Sequence, residues 1–343
     1  MSSGTCSGPR RAVILATGSF LPPTAVSNDD IIARCGHKVA ATAVRKIYGI
    51  ESRRVAEPGL ADSDLLAEAA RCALTRAGRR PEELSKLIAT KFLGDRLLPM
   101  TASLTQKKLD SKVAFQAFDV DGGTHAFLQA VEVASTAIAM GDDLVLVTSG
   151  GIHNRLVSRE DPRLAFLYGD GAGAVLLGLA TPECGRSRVE ATFQLTHAAA
   201  IDFARGFEMR TKVAFDVHET KDYRSLFDLY AGGDWRSIQG LVLDLVERVA
   251  REVLARAGMT LDEMDLVLLT ENHHRVWCDI LDRLEVPRNK TLSRVSDCGN
   301  TMSAMLPLLL DHSIAEERLV RGQRVLLLSL GEGLSCGGLV ATY

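Results

Sequence analysis

A unit of three parts repeats along this chain: a strand-length apolar run, a glycine-bearing turn and an amphipathic helix. That rhythm leaves few folds open. Ala12–Leu15 is a short apolar run followed by Thr17-Gly18, which reads as a strand entering a loop. Asp62–Ala77 has apolar residues at helical spacing, with Ser63 as a candidate N-cap. Leu87–Lys91 is strand-like. Val113–Val120 is a further apolar run that ends in Asp121-Gly122-Gly123, after which Thr124–Met140 returns to helical periodicity. Leu144–Thr148 and Gly173–Leu179 read as strands. Buried runs alternating with helices predict a largely parallel sheet with both faces covered.

From about Gly185 to Asp234 the rhythm loosens into a polar, charged stretch. It resumes with a helix over Ile238–Ala257, a strand over Leu266–Thr270 and helices over His274–Leu284 and Met302–Glu317. Strands over Val325–Ser329 and Leu339–Thr342 complete it. The second half echoes the first in pattern, without a residue-level repeat. At 343 residues the chain exceeds the usual size of a single core. The expectation is a duplicated α/β/α/β/α architecture with halves at 1–180 and 181–343.

Charge and cysteine usage narrow the function classes. A net charge of −3 with no long basic run argues against nucleic acid or an anionic membrane as partner. Apolar stretches such as Val325-Leu326-Leu327-Leu328 are strand-length, far short of a membrane span. Met1–Arg11 is small, polar and basic, without the apolar core of a signal peptide, so a frayed lead-in and a cytoplasmic location are expected. The seven cysteines are odd in number and nowhere spaced as CxxC, which predicts reduced thiols and no metal site. Only Cys298 and Cys336 stand beside glycine-rich segments.

Those segments carry a resemblance. Gly18-Ser19-Phe20-Leu21-Pro22, Gly49-Ile50 with Arg53, Ala117-Phe118-Asp119-Val120, Tyr168-Gly169-Asp170-Gly171-Ala172-Gly173-Ala174, Gly299-Asn300-Thr301 and Gly331-Glu332-Gly333-Leu334 follow one another in order. Together they resemble the thiolase superfamily, most closely its β-ketoacyl-acyl-carrier-protein synthase III branch, over essentially the whole chain. The resemblance implies a thiolase-like five-layer fold and thioester chemistry. It also implies a homodimer in which Val113–Val120 pairs with its copy and Leu98 reaches the partner's acyl pocket.

Carried over position by position, the family's catalytic cysteine falls on Thr124. A strand-to-helix turn suits an anion, because backbone N–H groups and the helix dipole face it. A cysteine there, starting near ~8.5, can drop toward neutrality. A threonine hydroxyl acts only if a base takes its proton during attack, so Thr124 is either the acylated residue or a spectator. The family's histidine falls on Thr270 and its asparagine on His273, with His274 next and Arg275 at the arginine slot. His273 is the expected base, with His125 and His197 in reserve. Asn300 matches the family's asparagine and is the expected oxyanion donor. Glu332 stands where relatives have glycine, and its carboxylate disfavours a nearby enolate. Ala43 and Ile47 stand where relatives grip coenzyme A, which points to an acyl carrier protein as donor of the phosphopantetheine thioester. Arg159, Arg163 and Arg275 are the candidate phosphate partners. No tightly bound cofactor is expected.

Four functions follow: an acyltransferase of specialised metabolism working on an oxygen or nitrogen acceptor; a starter-unit condensing enzyme with a threonine nucleophile; a silent subunit needing a companion chain; and a hydrolase or binding scaffold. The first fits best, because acyl transfer needs an oxyanion donor and no decarboxylation.

Overall fold

The computed structural model describes residues 10–96, 98–155, 164–197, 208–211, 227–230 and 235–343. The first half runs β1 (Ala12–Phe20), β2 (Ala25–Ser27), α1 (Asn28–Cys35), α2 (Ala41–Tyr48), β3 (Ser52–Arg54), α3 (Asp62–Arg76), β4 (Lys86–Lys91), α4 (Thr101–Lys108), β5 (Gln116–Asp121), α5 (Ala126–Ala139), β6 (Leu144–Gly151) and β7 (Gly171–Leu179). The second runs β8 (Arg188–Thr196), β9 (Glu208–Thr211), β10 (Phe227–Tyr230), α6 (Trp235–Ala257), β11 (Leu266–Leu269), α7 (His274–Arg283), α8 (Val295–Cys298), α9 (Met305–Ala315), β12 (Arg324–Gly331) and β13 (Ser335–Thr342).

Two sheets dominate, with strand orders β1-β7-β6-β4-β5 and β11-β12-β13-β8. Helices α5 and α9 lie between them: Phe127, Leu128, Val131 and Ile138 pack with Leu306, Leu309 and Leu310 against inward-facing residues of both sheets. Helix α3 covers the outer face of the first sheet. Helices α6 and α7 cover the outer face of the second. The result is five layers, α/β/α/β/α, with a central apolar core drawn from both halves. α9 is buried along most of its length, which accounts for its apolar run Met305–Leu310, whereas α5 leaves Val133 and Thr136 exposed.

The sheets are mixed rather than largely parallel. β4 pairs in parallel with β5 and β6, and β11 with β12, while β1–β7, β6–β7, β12–β13 and β13–β8 are antiparallel. The tight turn Glu332–Leu334 forces one reversal, turning β12 back as β13 with Gly331 opposite Ser335. Three local expectations also shift. β1 does not stop at Thr17-Gly18 but continues to Phe20, paired with Ala172. Ser63 is not a cap: Ala61 precedes α3, its N–H donates to the Asp64 carboxylate, and the Ser63 hydroxyl donates to Asp95. Val113 lies outside β5 in a turn where its carbonyl accepts from the Ser111 hydroxyl, and it is exposed.

Candidate active site

β5 ends at Asp121, and one 3-10 turn, Gly123–His125, leads into α5. Thr124 sits in that turn, 2% exposed. Both of its hydrogen-bond donors go to one carboxylate: its N–H donates to Glu332 Oε2 and its hydroxyl to Glu332 Oε1, each at 2.8 Å. The turn is built to admit that carboxylate. Gly123 has φ +58°, and a Cβ on it would run into Glu332 Oε2. Glu332 itself is half-buried in the turn between β12 and β13.

Asn300 arrives from the other half of the molecule. It forms a single bridge with Tyr168: its N–H donates to Leu167 O at 2.8 Å, and its carbonyl accepts from Gly169 N–H at 3.0 Å. Its Oδ1 accepts from Met302 N–H at 2.8 Å, which leaves the NH2 as the end of the amide not used by the turn. The 3-10 turn that follows, Met302–Ala304, packs beside the Thr124 turn. Tyr168 is buried, and its phenol is held well above the ordinary range by burial and then by the charge of Glu332. Asp170, fully buried, accepts from the backbone of Ala56, His153 and Asn154 and so ties the segment just before β7 to those that follow β3 and β6. The segments Tyr168–Ala174, Gly299–Thr301 and Gly331–Leu334 thus converge on Thr124.

The histidines behave differently from expectation. His273 is the N-cap of α7: its Nδ1 accepts from Arg275 N–H at 3.2 Å, and its ring stands edge-on to Tyr48 at 5.6 Å. Burial, then the charges of His274 and Arg275, push it below the usual imidazole range. The side chain on the Thr124 hydroxyl is Glu332, in the place expected of His273. His125 is 1% exposed, with its ring against Gly337 and Gln194, and burial lowers it to about 4. It is a core residue rather than a reserve base. His197 lies by the Glu332 turn, where its N–H donates to Leu334 O. The Thr270 hydroxyl accepts from Leu330 N–H at 2.9 Å, and the Asn272 amide donates to Leu330 O at 2.8 Å; both pin the end of β12 just before Glu332. Arg275 is exposed, as are Leu98 and Ile47. Arg159 and Arg163 lie outside the described residues. Cys298 and Cys336 are buried and their thiols are pushed up to about 12, so neither is a ready nucleophile.

Away from Thr124, sequence reasoning missed the buried acid Glu271. Glu271, 1% exposed, accepts from the Ser293 hydroxyl and pairs with His274 Nδ1 at 2.6 Å, while burial raises its carboxyl. A cavity of about 440 Å³ opens beside it, with Arg45, Lys46, His274 and Ser296 in its walls. None of Thr124, Asn300 and Glu332 lines that cavity, so it is separate from the convergence described above. Among the described residues no helix is long and apolar enough to cross a membrane, and no acid, histidine or cysteine cluster could hold a metal ion.

Comparison with known proteins agrees with this layout. Residues 118–194 match the 3-oxoacyl-[acyl-carrier-protein (ACP)] synthase III family, and residues 254–343 match the description of its C-terminal part. Beta-ketoacyl-[acyl-carrier-protein] synthase III 3 of Streptomyces coelicolor is 30% identical over 342 residues, covering 97% of this chain and 98% of that protein. The chain belongs to the synthase III family. Among solved structures, the synthase III of Aquifex aeolicus superposes with a TM-score of 0.84 at 26% identity, over 97% of this chain and 100% of that one. The priming β-ketosynthase of the R1128 polyketide pathway gives 0.85 at 25% identity, over 99% and 98%. The thiolase-like layering of the described residues is therefore that of solved synthase III structures.

Proposed function

We propose that this family member moves an acyl group from a carrier-protein thioester to an oxygen or nitrogen acceptor, with Thr124 standing where relatives carry cysteine and becoming the acylated residue. The observation that carries the reading is the Thr124 hydroxyl, buried at the start of a helix and donating to the Glu332 carboxylate at 2.8 Å. A neutral hydroxyl needs a base in contact with it, and Glu332 is that base in place of His273. Thr124 Oγ1 bonds to the thioester carbonyl carbon while its proton passes to Glu332. The carrier thiolate leaves and takes that proton, giving an acyl-threonine ester. An alcohol or amine then attacks the ester, gives its proton to Glu332, and the threonine oxygen recovers it.

The names of relatives include acyl carrier protein, which supports such a protein as a partner, and we take it as the donor. Ala43 and exposed Ile47 offer neither an aromatic platform nor a phosphate ligand for free coenzyme A. The homodimer belongs to the same proposal: β5 is the outermost strand of its sheet, an edge that a second copy can continue, with exposed Leu98 directed to the partner's pocket.

A second reading, starter-unit condensation, is favoured by the Streptomyces synthase and the R1128 priming ketosynthase. It requires the site to stabilise an enolate beside the Glu332 carboxylate, and Thr270 offers no imidazole for the purpose. Intact-protein mass spectrometry with acyl carrier proteins bearing different acyl groups tests the proposal: an adduct mapping to Thr124, absent in Thr124→Ala, is expected. His273→Ala should stay within about fivefold of the parent, having lost a helix cap rather than a base. Release of CO2 from malonyl carrier protein at the rate of product formation would instead establish condensation.

A further inference from the structure

Glu332 serves Thr124 in two ways that conflict. Its Oε1 accepts the hydroxyl hydrogen, as a base must. Its Oε2 accepts the N–H of the same residue, and a backbone N–H at the start of a helix is the kind of donor that an oxyanion on the acyl carbon needs. While the carboxylate holds both bonds, the site is already filled by an anion of its own.

We infer that Glu332 is a proton-controlled guard of the anion site: as an ion it occupies the Thr124 N–H, and on taking the Thr124 proton it releases that N–H to the oxyanion forming in the same step. The inference rests on the acyl-transfer reading only in taking Thr124 as the residue that is acylated. As the Thr124 oxygen bonds to the thioester carbon, the carbonyl π pair moves onto oxygen and the hydroxyl proton moves to Oε1. The neutral acid is the weaker acceptor, roughly half as strong by the usual gap between charged and neutral hydrogen bonds. Thr124 N–H and the Asn300 NH2 then hold the new charge. Collapse expels the thiolate, which takes the proton from Glu332, and the carboxylate returns to the N–H. The negative charge near the site stays close to one throughout, on Glu332 or on the substrate oxygen but not on both.

The same geometry makes nucleophile and guard a matched pair. A thiolate at position 124 would face a carboxylate at hydrogen-bond distance and share the N–H of residue 124 with it. Like charges so close raise the thiol's proton affinity. Glu332 at this distance suits a hydroxyl rather than a thiol.

The test places Thr124→Cys in two backgrounds, native and Glu332→Gly, and follows iodoacetamide alkylation of that thiol against pH, mapped by peptide mass spectrometry among the seven native cysteines. Among the described residues the titratable groups on this side are Glu332, Tyr168 and His197, with the His125 ring turned toward Gly337. Alkylation near pH 7 should be about tenfold or more faster without Glu332, with the rate midpoint lower by about one pH unit or more. Equal rates and midpoints in the two backgrounds overturn the guard. With Thr124 in place, Glu332→Gln should keep the parent's melting temperature and slow acylation by about 10²; acylation at the parent rate overturns it too. Failure of every carrier-protein donor to acylate Thr124 would sink the acyl-transfer reading instead. The alkylation difference needs no acyl donor, so it separates the two.

Discussion

Helices α5 and α9 lie in the same central layer, and each is led in by a 3-10 turn with a glycine of positive φ, Gly123 at +58° in the first turn and Gly299 at +72° just ahead of the second. The two turns hold their functional side chains by opposite means. Asn300 is fixed by its own turn, its Oδ1 accepting from Met302 two residues on. Thr124 is fixed by Glu332, which stands 208 positions further along the chain. A side chain bound within its turn has an orientation that three or four residues can write. One bound across the fold acquires its chemistry only when both halves are assembled.

The largest expected effects test whether the two turns divide the work as this contrast implies. Thr124→Ala should abolish the acyl-enzyme and slow turnover by about 10³ or more, while Thr124→Ser keeps the adduct. Asn300→Ala should leave the adduct forming but roughly 10²–10³ slower, because it removes an oxyanion donor and not the bond-forming atom. Intact mass against time, with single-turnover rates, separates the two. If the adduct forms without the Thr124 hydroxyl, or if Asn300→Ala removes it outright, the division fails.

The same contrast explains what the sequence made legible. Layering, strand order in the chain and most helices follow from periodicity and glycine punctuation, because burial on both faces gives strands such as β6 and β12 unbroken apolar runs, Leu144–Val147 and Val325–Leu328. Asn300 could be read from Gly299-Asn300-Thr301, since the turn itself orients the amide. Three kinds of information were not local. Whether strands run parallel depends on where loops return them, and the hairpin at Glu332–Leu334 gave no sign beyond its glycines. The role of Glu332 was visible only as a departure from glycine, since nothing near it in sequence names Thr124 as its partner. His125 misled through adjacency: in a 3-10 turn successive side chains diverge by roughly 120°, so Thr124 faces the Glu332 turn while His125 faces Gln194 and Gly337.

Intermediate effects come from the two glycines. In Gly299→Ala the new methyl would meet the Arg53 Cβ at 2.8 Å and the Gly169 nitrogen at 3.0 Å, and neither can move aside easily, since the Arg53 head is bonded to Val26 O, Asn28 Oδ1 and Phe166 O. A loss of roughly 3 kcal/mol in unfolding free energy is expected. In Gly123→Ala the obstacle is the flexible end of Glu332, so the loss should be nearer ~1–2 kcal/mol, the cost of a left-handed alanine. Displacing the carboxylate should nevertheless slow acylation more than Gly299→Ala does per unit of stability lost. Denaturant titration beside single-turnover rates decides it; the reverse pattern would mean that the Thr124 turn is held by something other than Glu332.

The smallest effect concerns acid, and here only one turn has a group to respond. Asn300, Thr301 and Met302 do not titrate, whereas His125 is buried with its folded value lowered to about 4, chiefly by desolvation. The unfolded chain binds a proton on this imidazole below the ordinary value of about 6.5, and the folded chain refuses it until far lower pH. A lowered folded value means that stability is complete above about pH 6.5 and is lost as pH falls toward 4. Between about pH 7 and about pH 5.5 this one residue should cost roughly 1 kcal/mol. His125→Asn removes the titrating group, so its unfolding free energy, whatever its absolute loss from poorer packing, should fall less steeply with acid than that of the parent. Parallel slopes for parent and variant would show that His125 takes up its proton in the folded state as readily as in water. The turn that carries Thr124 would then be open on its core side, and the packing of His125 against Gly337 could not be what steadies the turn while Glu332 works from the other side.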